Sequence, residues 1–92
     1  MRFRYTKRAQ RDLESIFEYL NEQSPQSAAN LAHQITKAVD LLTTQPRIGR
    51  ETTREGLRVW VVHGYPYLIF YRTAVGHISI AHIRHAARRP YA

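Results

Sequence analysis

The chain has 92 residues, enough for one domain and too few to divide into two with adequate cores. Hydrophobic residues at 43% and charged residues at 23% describe an ordinary globular chain rather than a disordered one, and the lack of cysteine excludes a disulfide framework, a thiolate metal site and a cysteine nucleophile. Fourteen Lys and Arg against seven Asp and Glu give a net charge of +7, which points to an anionic partner. No apolar run approaches the roughly 20 residues that span a bilayer, and Met1-Arg2-Phe3-Arg4-Tyr5 carries no apolar segment of signal-peptide type. A soluble, cytoplasmic, single-domain protein over residues 1–92 is expected, with no membrane partner.

In chain order, Arg2-Phe3-Arg4-Tyr5 alternates polar and apolar and suits a short edge strand. Ala9, Leu13, Ile16, Phe17 and Leu20 then mark one face of a helix, with Arg8 and Asp12 on its charged side. The pattern breaks at Asn21-Glu22-Gln23-Ser24-Pro25, where Ser24 is an N-cap and Pro25 the first residue of a second helix. No capping box follows, because Ser27 stands where Glu or Gln would be needed. Ala28, Leu31, Ile35, Ala38 and Leu42 continue that helix, which must stop before Pro46. Pro46 to Gly56 reads as a loop. Three strands are predicted after it, at Leu57–His63, Tyr67–Arg72 and His77–Arg84, with connections short enough to make them antiparallel. The expected architecture is α+β in the order β-α-α-β-β-β, a helical hairpin packed on a small antiparallel sheet whose other face is partly open.

Charge is unevenly spread. Residues 56–92 hold five arginines, four of the five histidines and no acid. Strand alternation predicts that Ile78 and Ile80 point at the helices, and that the switch to Ile83 requires a bulge or an end to two-sided burial. The sheet is expected to gather Arg58, Arg72, Arg84, two histidines and several tyrosines on one small surface. Histidine supplies acid or base chemistry near neutral pH and arginine stabilises phosphate charge, so His82, His85, Arg58, Arg72, Arg84 and Tyr91 are the residue types a metal-independent ribonuclease needs. A basic sheet that binds an acidic protein has the same composition. No metal-ligand set is read, because every acid lies outside the last 37 residues and His82 and His85 should face opposite ways; no cofactor motif is present.

Five pieces carry a resemblance. They are Ala9-x-x-Asp12-Leu13-x-x-Ile16-x-x-Tyr19, Pro46-x-x-Gly49-Arg50, Leu57-Arg58, Tyr67-x-Ile69-Phe70-Tyr71-Arg72, and Ile80-x-x-Ile83-x-His85-x-x-Arg88. In this order and spacing the chain resembles the RelE/ParE superfamily of toxins from bacterial type II toxin–antitoxin, or plasmid stabilisation, modules. That family's fold is the helical hairpin on a small sheet. RelE-type members cut mRNA on the ribosome without a metal, whereas ParE-type members inhibit DNA gyrase. The segment Glu51-Thr52-Thr53-Arg54-Glu55-Gly56-Leu57-Arg58 lacks the lysines of the RelE-type enzymes, so the resemblance is closer to the ParE branch. It implies a gyrase poison that uses Arg58, Arg72, Arg84, His85, Arg88 and Arg89 for binding. The alternative is a ribosome-dependent mRNA endonuclease using His85 or His82 with Tyr91 and Arg84. Either branch implies a cognate antitoxin with an acidic, partly disordered segment, bound in a hetero-oligomer.

Overall fold

A computed structural model describes residues 1–87 of the chain. Its elements are β1 (Arg2–Tyr5), α1 (Lys7–Gln23), α2 (Pro25–Thr44), β2 (Arg50–Glu51), β3 (Arg58–Val61), β4 (Tyr67–Ala74) and β5 (His77–His85). One five-stranded sheet runs in the order β1-β5-β4-β3-β2. The predicted order of elements is present, with β2 as a two-residue addition inside the segment expected to be loop. One feature differs: β1 pairs in parallel with β5, Arg2 opposite His77 through Tyr5 opposite Ile80, so the sheet is mixed. A parallel neighbour requires a long crossover, and the helices and strands between β1 and β5 supply it.

Both helices begin on side-chain caps. Thr6 Oγ1 accepts from the Ala9 N–H at 3.1 Å, and Ser24 Oγ accepts from the Ser27 N–H at 3.2 Å with Pro25 at the first position of α2. Helix α2 ends at Thr44, with Gln45 as its C-cap directly ahead of Pro46. The apolar positions predicted for α2 go inside: Ala28, Leu31, Ile35, Ala38 and Leu42 are buried. Leu31, Ile35, Ala38 and Leu42 pack with Ala9 of α1 on Ile69, Tyr71, Ile78, Ile80 and Ile83. Helix α1 buries less, and Leu13, Ile16, Phe17 and Leu20 lie only partly covered along the margin of this core. Among the described residues no helix is long and apolar enough to cross a membrane.

The segment from Pro46 to Arg50 is tied to the sheet by Tyr71. Its hydroxyl donates to the Pro46 carbonyl at 2.8 Å and accepts from the Gly49 N–H at 2.8 Å. The ring passes so close to Gly49 that a Cβ there would collide with Tyr71 Oη, with Cε1 at 2.7 Å and Cζ at 2.9 Å. Gly49 is therefore required by close approach rather than by a left-handed backbone. Gly76, at φ +75°, serves the other purpose and closes the tight β4–β5 turn.

Candidate functional site

Of the two alternatives for β5, the structure has the bulge. Tyr71 opposes Ile80 while Phe70 opposes His82, which leaves Ala81 as the extra residue. Ahead of it Ile78 and Ile80 point at the helices; beyond it the phase inverts and Ile83 takes the inward position. His82 and Arg84 are thereby turned to the face away from the helices, opposite Phe70 and Leu68.

Phe70 forms the floor of that face. The His82 ring stacks on it with centroids 4.3 Å apart and planes 9° from parallel, and Arg84 Cζ lies 5.2 Å from the Phe70 centroid. A cavity of about 560 Å³ opens above, lined by Arg8 of α1, Thr52, Thr53 and Arg54 of the β2–β3 connection, Leu57, Phe70, His82 and Arg84. A second hollow adjoins it, where Arg50 and Glu51 join Val59 and Leu68. Leu57, Val59 and Phe70, with Leu68 and Ala81 against them, form a small apolar cluster under this groove. The result is an aromatic and aliphatic floor rimmed by guanidinium groups, a surface suited to an anionic, partly apolar partner.

His82 lies among positive charges. Burial pushes its imidazole below the ordinary value, Arg8, Arg84 and Arg54 push the same way, and Asp12 opposes them. Its Nδ1 is buried and accepts or donates no hydrogen bond among the described residues. The folded state thus binds this proton less readily than the unfolded chain. The stability it contributes is complete above the unfolded value of about 6.5 and declines as pH falls toward the folded value. Urea unfolding at about pH 7.5 and about pH 5.5 should show a smaller pH difference in His82→Gln than in the parent chain.

The other expected site residues divide between faces. Arg72 shares the open face, but its guanidinium is engaged with the Glu55 carbonyl at 2.9 Å and holds the β2–β3 connection in place. Arg58 does not join that surface. It opposes Tyr71 on the helix side, where Nη1 donates to the carbonyls of Gly49 at 2.7 Å and Arg47 at 3.2 Å, and Nη2 pairs with Glu51 at 3.4 Å. Strand alternation sets that side, and three acceptors hold it there. His85 also faces away from the groove, opposite Tyr67, with ring centroids 5.2 Å apart in an edge arrangement. Its Nδ1 accepts from the Ala87 N–H at 3.1 Å. His82 and His85 therefore lie on opposite faces, as their spacing in the strand beyond the bulge requires. Arg88, Arg89 and Tyr91 lie outside the described residues. Arg8 and Arg54 were not read from the sequence as site residues. They come from a helix start and a loop, and only the fold brings them beside His82.

The comparisons agree with this architecture. Residues 3–90 match the family model described as the ParE toxin of the type II toxin–antitoxin system parDE. The chain is 39% identical over 84 residues to Toxin RelE2 of Caulobacter vibrioides, covering 91% of this chain and 93% of that one. It is 35% identical over 85 residues to putative toxin Y4kP of Sinorhizobium fredii, covering 92% and 88%. A solved structure described as the chromosomal ParDE system from P. aeruginosa has the same fold, with a TM-score of 0.78 over 92% of this chain and 95% of that one at 24% identity. The chain belongs to the ParE toxin family of type II toxin–antitoxin systems.

Proposed function

We propose that this toxin halts growth by binding and poisoning DNA gyrase, in a plasmid-stabilisation module whose cognate antitoxin neutralises it. The observation that carries the reading is the groove over Phe70, where Arg8, Arg54 and Arg84 surround an apolar floor and Glu51 is the one carboxylate among the described lining residues. That is binding chemistry: charge directs the encounter and the floor supplies buried area. The match to the ParE family supports gyrase as the target. An acidic, partly disordered antitoxin segment laid along the same groove would neutralise the charge and occlude it, so target and antitoxin compete within one cytoplasmic hetero-oligomer system.

A second reading is ribosome-dependent mRNA cleavage, favoured by His82. A neutral imidazole beside Arg84 in a basic groove has the makings of a general base with a phosphate clamp. His85 faces the other side of the sheet and cannot act as its acid partner on the same phosphate. Purified chain added to a gyrase supercoiling reaction, and separately to translating ribosomes, tests both. Inhibited supercoiling with intact mRNA is expected. Cut mRNA with normal supercoiling would replace the gyrase reading by the nuclease one.

A further inference from the structure

We infer that Asp12 is a positioning residue for the groove: its carboxylate takes the place of a neighbouring strand along β5 and so holds His82 and Arg84 on the open face. This rests on the reading of that face as the target surface. Strand β1 accompanies β5 only as far as Tyr5 opposite Ile80. Beyond that point the outer edge of β5 has no strand partner among the described residues, and this is where the bulge at Ala81 falls. Two side chains from the start of α1 take over. Thr6 Oγ1 donates to the Ala81 carbonyl at 2.8 Å, and Asp12 Oδ2 accepts from the Ile83 N–H at 2.9 Å. The Thr6 N–H also donates to the Ile80 carbonyl at 3.1 Å, which joins the last backbone bond of this edge to the first side-chain one.

The consequence is a fixed phase. A strand without its bulge would carry His82 and Arg84 inward with Ile78 and Ile80, and Ile83 outward. Among the described residues the outer edge of β5 is unpaired by any strand beside the bulge, and without the clamp only the β4 ladder on its other edge and the burial of Ile83 limit a slip between those states. The clamp adds to those limits, because Asp12 bonds the Ile83 amide only when Ile83 points inward and its neighbours outward. A hydrogen bond from an amide to a carboxylate is among the stronger kinds, and Asp12 makes it from the second turn of a helix that is itself capped by Thr6. Among the described residues Asp12 also places the one negative charge that acts on His82.

The test compares Asp12→Ala with Asp12→Asn in the full chain, read by NMR and by gyrase inhibition at equal folded fraction. Asparagine keeps an acceptor for Ile83, so it should retain the Phe70–His82 ring contacts and most of the inhibition. Alanine should speed Ile83 amide exchange by about tenfold or more, weaken those ring contacts and lower inhibition by about tenfold. Unchanged ring contacts in Asp12→Ala would overturn the inference, whatever the inhibition does. Arg84→Ala separates the two levels: if it inhibits fully while Asp12→Ala loses the ring contacts, the positioning role stands and the surface reading fails. Should Asp12→Ala not fold, the parent chain decides, since an Ile83 amide exchanging as fast as an open one would also overturn it.

Discussion

Tyr71→Phe is expected to lower stability by about 2–3 kcal/mol, although it removes a single oxygen. Tyr71 is fully buried, and its hydroxyl satisfies the Gly49 N–H and the Pro46 carbonyl together. Phenylalanine leaves both backbone groups short of a partner in the interior, and the cost of that exceeds the worth of an average hydrogen bond. Burial pushes the phenol above its ordinary value, with the Gly49 N–H and Arg58 pulling it back, so it stays protonated and able to donate at neutral pH. Gly49→Ala should cost about 1–3 kcal/mol by overpacking against the same ring. The two changes touch one contact, so the double variant should fall short of their sum. Removing the hydroxyl relieves the closest collision but leaves Cε1 and Cζ in the way. Urea unfolding with an unaltered slope measures all three variants.

Arg84→Glu is expected to leave the fold nearly intact and to weaken antitoxin binding by about 100-fold at low salt, with a smaller loss at high salt. The substitution exchanges a cation over the Phe70 ring for an anion facing its negative π-cloud, and it reverses a charge in the groove shared with Arg8 and Arg54. Arg58→Ala should behave in the opposite way. Its guanidinium braces Gly49 and Arg47 on the helix side, so its loss should cost about 1–3 kcal/mol of stability and change the salt dependence of binding little. Calorimetric titration with the antitoxin at two ionic strengths, beside thermal unfolding, distinguishes a groove residue from a brace.

Much of the architecture is legible in the residues because local signals and burial agree. Ser24-Pro25 opens α2 where a cap and a preset φ coincide, and Ala28, Leu31, Ile35, Ala38 and Leu42 bury the face that their spacing predicts. The parallel course of β1 is not legible. Strand direction depends on the whole path between β1 and β5, and alternation within four residues carries no trace of it. The site is legible in part. Ile83, out of phase with Ile78 and Ile80, signals a bulge or an end to two-sided burial, and only the register with β4 decides for the bulge. Charge groups Arg58 with Arg72 and Arg84, but charge does not report which side of a strand a residue faces. Arg8, Arg54 and Asp12 reach the groove or its support from elements distant in sequence, so only the folded chain joins them to His82.

Under the proposed function the toxin acts on DNA supercoiling rather than on translation. Pulse-labelling of DNA and protein synthesis in the first minutes after inducing the chain without its antitoxin tests this most directly, with Arg84→Glu induced in parallel. DNA synthesis should fall first while translation continues, and the Arg84→Glu culture should keep growing. Protein synthesis collapsing first would contradict the claim and make His82 the leading candidate for acid–base chemistry on mRNA.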